Sequence, residues 1–358
     1  MVPYIGKMAV EKRLWLDEQT FRDGVALCQT MPGATAMQVA AYVGFRARGV
    51  AGAAASFIGF GLPAFLLMVG LSDFYVHFHT FPPVGSVFDG LQAIIVAIVA
   101  NATLSFGKTF LKSLWHGMIA VIAAGMFGLR VSPILVIILA ALLGLVLSKK
   151  NPPPNLGVNP ESELRSLQPL LIIASVTVFA FVGLFLLKRE LFDLAAIMVR
   201  IDLFAFGGGF ASVPLMFHEI VEVRSWMDSQ TFLNGIALGQ VTPGPIVITA
   251  TFVGFILYGL FGAVLATVSI FLPSFLMVIG VTPYFDRLKR SIYFSRAIGA
   301  ILCSFVGLLL AVTFRFASNI PWNFSRGLLA MAAFVALFFR VEIIWVVLSG
   351  IIISIFFL

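Results

Sequence analysis

Two stretches of the sequence have backbone that is suited to binding a ligand. "FGGG" (206–209) and "TPGP" (242–245) interrupt strongly apolar, helix-forming sequence. Glycine breaks a helix through its conformational freedom and proline through its missing N–H donor. A broken helix exposes free N–H groups at the positive end of its dipole, which favours an anion. Close helix packing, in which glycine only removes bulk, is the alternative. A second Pro-Gly pair at 32–33 favours the anion site.

Arginines near these stretches are candidates for contact with the anion. Arg200 lies within "LAAIMVRIDLFAFGGG", where a charge is unfavourable in lipid and is usually paired or functional. We expect Arg200 to contact an anion, with snorkelling or structural pairing as alternatives. Its spacing from Asp202 excludes an ion pair along one helix face. Arg13 and Arg224 each stand two residues before a tryptophan, which fits anion contact and interfacial anchoring equally.

Polar residues beside the Pro-Gly pairs complete the candidate site. Gln29 and Gln240 each stand three residues before a Pro-Gly pair, and Thr242 stands directly before the second pair. Either glutamine amide could donate a hydrogen bond to an oxyanion or cap a broken helix. Glu11 and Glu222 also correspond to each other, and here a solvated charged face is favoured over proton coupling. The predicted substrate-binding residues are Arg13, Gln29, Pro32, Gly33, Arg200, Gly207, Gly208, Gly209, Arg224, Gln240, Thr242, Pro243, Gly244 and Pro245.

The composition defines the class of protein. Of 358 residues, 60% are hydrophobic and 11% are charged, with a mean hydropathy of +1.06. A soluble core needs far less apolar surface, so a polytopic membrane protein is predicted. Basic residues are scattered at helix ends, so no nucleic-acid partner is implied. Cys28, Cys303 and the histidines show no metal or redox spacing, and no catalytic or nucleotide-binding motif occurs. Neither an enzyme nor a cofactor is therefore expected.

The chain contains a tandem duplication. Residues 2–33 align without gaps to 213–244, with 16 of 32 positions identical. Residues 44–70 match 254–280 at ten of 27 positions. Self-similarity of this kind is typical of transporters built from two repeats.

The duplication predicts three regions. The first repeat covers 1–148, a linker plus one unpaired transmembrane helix covers 149–190, and the second repeat covers 191–358. The first repeat starts just after the point where its own glycine half-helix is expected. A true start upstream of residue 1 is the favoured explanation, and a shortened protein is the alternative.

Basic residues in the loops indicate that the repeats are inverted. Loop 72–86 has no lysine or arginine, whereas its counterpart 283–296 has four, and the charges near the start of the repeats show the reverse. Cytoplasmic loops carry the excess of basic residues, so equivalent loops are placed on opposite sides. The same counts place both ends of 24–45 in the cytoplasm, which predicts a segment that enters and returns at its Pro-Gly pair. Full crossing of 24–45 and 233–256 is the competing interpretation.

These residues resemble a known family. "FGGGFASVPLMFHEIVEVRSWMDSQTF", followed by "ALGQVTPGPI" and "FLPSFLMV", is similar to the chromate ion transporter family in its long-chain, two-domain form. The resemblance implies a bacterial or archaeal plasma-membrane protein that exports chromate, a tetrahedral dianion, and so confers chromate resistance. Two positions depart from the family pattern. Asp202 stands where a small residue is expected, and its charge would oppose a dianion, while Ala34 replaces the second proline of the first repeat's break.

We therefore predict an all-α polytopic membrane protein of two inverted repeats with broken, re-entrant helices and about nine full crossings. Its predicted function is secondary export of chromate from the cytoplasm, driven by membrane potential or by exchange. A carrier for sulfate, molybdate or another oxyanion, an anion channel and a non-transporting membrane subunit are the alternatives. The expected partners are the oxyanion and the lipid bilayer, and association into a homodimer is left open.

Overall fold

The computed structural model describes residues 1–147, 168–284 and 291–357, which are helical and contain no β-strand. The expected linker, 149–168, lies outside the described residues except for its last position. Positions 285–290 of the basic loop lie outside them as well. The α-helices are α1 (Val2–Gly6), α2 (Glu18–Thr30), α3 (Thr35–Phe78), α4 (Pro82–Phe110), α5 (Leu114–Gly128), α6 (Pro133–Leu147), α7 (Gln168–Leu187), α8 (Arg189–Phe204), α9 (Ser212–Met216), α10 (Ser229–Val241), α11 (Thr249–Val281), α12 (Ile292–Ser318), α13 (Phe324–Phe338) and α14 (Ile343–Phe357).

Three interruptions between helices concern the candidate site. Residues 31–34 between α2 and α3 are called the first break. Residues 242–245, between α10 and the 3₁₀ turn Ile246–Ile248 that precedes α11, are called the second break. Residues 205–209 after α8 are called the glycine segment. All three coincide with the Gly- and Pro-rich stretches of the sequence, because those residues cannot continue a helix.

Equivalent aspartates start the helices that lead to the two breaks. Asp17 accepts a hydrogen bond from the Thr20 amide at 2.8 Å, and Asp228 accepts one from the Thr231 amide at 2.7 Å. Each aspartate satisfies a free N–H group of the first turn. Hydrogen bonds from the Thr20 side chain and amide hold the pKa of Asp17 below its ordinary value. A repeated sequence signal, "D-x-Q-T", therefore sets both helix starts.

The two repeats share rare backbone conformations at equivalent positions. Leu14 and Ser225 have φ of 51° and 50°, and Arg130 and Arg340 have φ of 64° and 66°. Positive φ is uncommon for residues other than glycine. The first turns of both repeats also continue as π-helices, over Lys7–Lys12 and Phe217–Val223. The sequence duplication is therefore a structural duplication.

Helices α3 and α11 are each bent into a hairpin. Gly49 has φ of 65° and Gly259 has φ of 59°, and both interrupt the helical conformation. A Cβ on Gly44 would lie only 2.2 Å from the Gly52 carbonyl oxygen. Eight residues of straight helix would separate these glycines by about 12 Å. The first part of each helix therefore runs back along the second.

The segments around the two breaks also fold back. A Cβ on Gly24 of α2 would lie 2.1 Å from the Tyr42 ring of α3. A Cβ on Gly235 of α10 would lie 2.4 Å from the Phe252 ring of α11. Helices on the two sides of each break are therefore packed together rather than continuing in line. This arrangement is the fold-back that a re-entrant path requires.

Helix α8 of the second repeat packs against α11. In the apolar window of α11, 44% of residues are buried, compared with 17% in that of α3. The difference follows from α8, which covers α11, while α3 has no described counterpart of α8. Helix α7, at Gln168–Leu187, is the unpaired apolar segment that the sequence predicts at 169–187 and contacts α8.

Packing between the repeats is reciprocal. Helix α12 packs against α5 and α6, and its equivalent α4 packs against α13 and α14. A Cβ on Gly33 would meet Ser274 of the second repeat, and one on Gly244 would meet Ala64 of the first repeat. Reciprocal contacts of this kind require an approximately two-fold relation between the repeats. The sides assigned to the loops from their charges stay a prediction.

The outer surface is suited to lipid. Four described helices are long and apolar enough to cross a membrane by length and composition, and five shorter helices are apolar as well. Large apolar side chains such as Ile58 and Val268, at equivalent positions, are 62% and 56% exposed. In water such a surface would be unfavourable, whereas lipid covers it. The chain is thus an all-α polytopic membrane protein, as its composition predicts.

Candidate functional site

The glycine segment lies between the two breaks. The Gly33 amide of the first break donates to the Ala205 carbonyl at 2.9 Å, and Pro32 pairs with Phe206 in an isolated β-bridge. On the other side, a Cβ on Gly209 would lie 3.0 Å from the Ile246 side chain, directly after the second break. Three interruptions far apart in sequence therefore meet at one place.

The glycines are required by this close approach. Gly207 and Gly208 have φ of +100° and +93°, a region that L side chains rarely adopt. A Cβ on Gly207 would also stand 3.2 Å from the Phe106 ring, and one on Gly208 would stand 3.2 Å from the Thr35 hydroxyl. The tripeptide therefore lets the chain turn between the breaks without displacing its neighbours.

A cavity of about 580 Å³ opens beside the glycine segment. The described residues of the candidate site that line it are Gly208, Gly209, Gln240, Thr242, Pro243, Gly244 and Pro245, and the start of α3 adds Ala34 and Thr35. A volume of this size is typical of small-ligand sites. Half of the predicted residues are thus gathered around one space.

The wall of the cavity is mostly apolar and includes a few hydrogen-bond donors. The Gln240 Nε2 atom is buried and has no hydrogen-bond partner. Helix α3 begins at Thr35, and its N-cap residue Ala34 makes no side-chain capping bond. The 3₁₀ turn Ile246–Ile248 has Pro245 as its N-cap residue, and Pro245 makes no side-chain capping bond. The first N–H groups of both helical stretches lack intrahelical acceptors, so two positive dipole ends and one amide meet at the cavity.

The neighbouring arginines are held by a carboxylate. Arg200 forms an ion pair with Glu219, whose side chain is 7% exposed. Arg224 pairs with the other oxygen of Glu219 at 3.1 Å and stacks over the Trp226 ring at 5.5 Å. The Arg200 Nε atom has no partner. The Nη2 atom of Arg200 contacts Glu219, so the structure agrees with the alternative interpretation of Arg200, structural pairing.

The remaining predicted residues lie elsewhere. Gln29, the counterpart of Gln240, is exposed, and so is Arg13, the counterpart of Arg224. Pro32 and Gly33 are buried against the opposite side of the glycine segment from the second break. Equivalent residues of the two repeats thus have unequal surroundings.

One expectation about charge is wrong. Glu222 does not lie on a solvated face, because its side chain is 14% exposed and it pairs with both His218 and Arg315. Arg315 also donates to the Phe127 carbonyl at the end of α5. Its counterpart Glu11 is exposed, as a solvated face requires. Helices from the first repeat cover Glu222, and a sequence comparison of the repeats cannot reveal that cover.

A second buried polar cluster adjoins the first break. Asp202, at the end of α8, accepts hydrogen bonds from both the amide and the hydroxyl of Ser274 in α11. Gln38 of α3 donates to the Pro32 carbonyl at 2.5 Å. Gln38 and Ser274 were missed by sequence reasoning, because single polar residues in apolar helices carry no periodic signal. Among the described residues, no group of three His, Cys, Asp or Glu could hold a metal ion.

The folded-back breaks, and the cavity beside them within an apolar bundle, are features of a helical membrane transporter. The chromate transporter family matches residues 1–145 and 192–355, and the chain belongs to this family.

Several relatives support the assignment. An uncharacterized transporter of Methanocaldococcus jannaschii is 40% identical over 99% of this chain and 88% of its own length. The chromate transport protein of Pseudomonas aeruginosa is 29% identical over 85% of this chain and 73% of its own. The chromate transport protein of Cupriavidus metallidurans is 26% identical over 92% of this chain and 80% of its own length. No solved structure matches the chain.

Proposed function

We propose that this protein exports chromate from the cytoplasm of a bacterial or archaeal cell and binds the dianion in the cavity beside the glycine segment. The observation that carries the proposal is the buried Gln240 amide, which has no partner at a cavity that also receives two helix N-termini. Membership of a chromate transporter family supplies the substrate class. The multi-pass helical bundle is consistent with a plasma-membrane location.

Uncharged donors suit a substrate that must leave again. A dianion needs replacements for its hydration shell, because an unpaired buried charge is very unfavourable. The Gln240 amide and the free N–H groups at Thr35 and Ile246 would provide them without a fixed positive charge. Arg200 is occupied by Glu219, so direct contact of Arg200 with chromate stays a prediction. Neutral donors bind the anion without the retention that a permanent ion pair would cause.

Membrane potential can drive the proposed export. Moving one charge through 100 mV changes the free energy by about 2.3 kcal/mol, so a dianion that leaves a negative interior gains about 4 to 5 kcal/mol. Exchange with an external anion is the alternative driving force. Flux in proteoliposomes with and without an imposed potential would separate the two.

The first prediction tests the Gln240 amide. Gln240→Leu should raise the KM for chromate about tenfold or more in proteoliposomes, because one hydrogen bond to a charged group contributes about 1.5–3 kcal/mol. The matched control is Gln29→Leu, the same change at the equivalent, exposed position of the first repeat. An equal effect of both substitutions, or none at Gln240, would contradict the proposed site.

Sulfate and molybdate are further candidate substrates, because tetrahedral dianions present similar acceptor oxygens to neutral donors. Competition of each unlabelled anion against labelled chromate would rank them. A channel would instead pass anions at rates far above those of a carrier, without stimulation by an anion on the opposite side. Cross-linking in membranes would show whether two copies associate as a homodimer.

A further inference from the structure

The carboxyl group of Asp202 is placed unlike every other acid described in the chain. Asp202 is 0% exposed and lies between an apolar helix and the first break. Its Oδ2 atom accepts from the Ser274 amide at 2.8 Å and from the Ser274 hydroxyl at 2.7 Å. Its Oδ1 atom is buried and has no partner. One half of the group is fully held and the other half is free.

A neighbouring side chain also has a free acceptor oxygen. Gln38 is also 0% exposed, and its Oε1 atom has no partner. Its amide orientation is fixed, because Nε2 donates to the Pro32 carbonyl, which can only accept. Asp202 Oδ1 and Gln38 Nε2 lie 2.9 and 3.1 Å from the point where a Cβ of Gly33 would stand. The two side chains therefore lie close together beside Gly33, and the Asp202 Oδ1 atom and the Gln38 Oε1 atom are both left without a hydrogen-bond partner.

No positive charge in the described surroundings compensates Asp202. No ion pair found within the described ranges includes it. The parts of α3 and α11 that flank it, 35–45 and 249–281, contain no ionisable side chain except Tyr42 and Tyr258, and 31–34 contains none. On α8 itself the nearest charge is Arg200, which pairs with Glu219. An ionised carboxylate at this place would be unfavourable, whereas a neutral carboxylic acid avoids burying an uncompensated charge.

We propose that Asp202 is the proton-binding residue of the transport cycle. With the first break closed as in this structure, the proton resides on Oδ1, the carboxyl oxygen that accepts no hydrogen bond. Movement of the break admits water, and the proton leaves, which regenerates the carboxylate. The proposal rests on the proposed function and names its coupling ion. In each cycle one proton enters while one dianion leaves. Positive charge then moves inward and negative charge moves outward, and the membrane potential favours both movements.

The glycine segment connects the proton site with the anion cavity. It begins three residues after Asp202, and its Ala205 carbonyl holds the Gly33 amide of the first break. Three and four residues further on, Gly208 and Gly209 line the cavity. A shift of the first break therefore changes the surroundings of Asp202 and, through this segment, the wall of the cavity. A monovalent metal ion fits less well, because such ions need several oxygen ligands and only two free oxygens are found here.

The second prediction uses Asp202→Asn. The asparagine oxygen can accept both Ser274 hydrogens and the side chain carries no charge, so the variant imitates the protonated acid. In proteoliposomes with clamped zero potential, chromate exchange at equal pH should stay within about twofold of wild type. The several-fold stimulation of wild-type net flux by an inward proton gradient should be lost. Asp193→Asn, the same change on the same helix at a partly exposed position, should retain both activities.

Separate outcomes would overturn the two proposals. Wild-type vesicles without any chromate flux would overturn the proposed function. Retained gradient stimulation in Asp202→Asn, or stimulation by sodium in place of protons, would overturn the proton site.

A measurement of thermal stability checks the proton site independently of transport. The melting temperature of detergent-solubilised wild type should fall as pH rises from mildly acid to mildly alkaline, because the buried acid ionises, and that of Asp202→Asn should fall less. Identical profiles would contradict the assignment.

Discussion

At the scale of single residues, the site depends on glycines where no side chain fits. Gly33 has φ of +107°, and a Cβ there would stand 1.8 Å from the Ser274 hydroxyl. That hydroxyl is itself fixed by Asp202, so it cannot move aside without loss of a buried hydrogen bond. Gly33 is thus the point at which the first break contacts the proton site.

The third prediction compares two glycine substitutions. Gly33→Ala should lower the free energy of unfolding by about 3 kcal/mol, because backbone strain and overpacking act together. Gly59→Ala should be neutral or stabilising by about 0.5–1 kcal/mol, because Gly59 lies in a regular part of α3 with nothing within 4 Å of the added Cβ. Thermal melting in detergent measures both. Equal melting temperatures for the two variants would show that the first break is not packed as described.

At the scale of elements, each repeat is built from two kinds of fold-back. One occurs at the breaks, where proline and glycine stop the helix. The other occurs at the bends of α3 and α11, where one glycine with positive φ reverses the helix direction. In α11 the hydroxyls of Thr251 and Thr267, 16 residues apart, approach to 2.7 Å across the bend. The bends bring the starts of α3 and α11 back to the glycine segment.

The fourth prediction concerns the bend of α11. Gly259→Ala should destabilise the protein by about 1–2 kcal/mol, because its φ of +59° is unfavourable for a residue with a Cβ. Nothing lies within 4 Å of that Cβ, so the effect isolates backbone strain. Gly70→Ala is the control, at an equally open position with ordinary helical φ, and should not destabilise. An unchanged melting temperature for Gly259→Ala would mean that the bend is not fixed by this residue.

At the scale of the whole molecule, the repeats are joined by reciprocal helix packing and by a few buried charges. Arg315 of α12 binds Glu222 of its own repeat and the Phe127 carbonyl of the first repeat. Its guanidinium also lies over the Phe127 ring, 4.4 Å from the centroid. A second ion pair, Arg326 with Asp89 at 2.5 Å, links α13 to α4. The two halves are therefore held in a specific relation and do not only share an apolar surface.

The fifth prediction tests this connection. Arg315→Met should lower the free energy of unfolding by about 3 kcal/mol, since it removes the arginine partner of a mostly buried carboxylate and a charged hydrogen bond to the Phe127 carbonyl. The control is Arg22→Met, which removes an ion pair with Glu18 in which both side chains are about 70% exposed. This substitution should change the free energy of unfolding by less than about 0.5 kcal/mol. Comparable losses in the two variants, measured by thermal melting, would exclude a special role for Arg315.

The sequence alone was enough to predict the membrane class, the duplication and the breaks. Composition reports lipid exposure, and identity between repeats reports the duplication directly. Glycine and proline act on their own backbone, so the breaks at 32–33, 206–209 and 242–245 are local properties. The division into 1–148, 149–190 and 191–358 stays a prediction, as does the inverted orientation.

Only the tertiary structure decided which side chains meet. Gln240 lines a cavity and Gln29 is exposed, although their sequence surroundings are alike. Asp202, which the sequence presents as an obstacle to a dianion, is not among the residues that line the anion cavity and is bound by Ser274, 72 residues further on. Arg200 is held by Glu219. Contacts of this kind depend on how helices pack across the repeats, whereas a sequence pattern reports only the conformation and the exposed face of each helix.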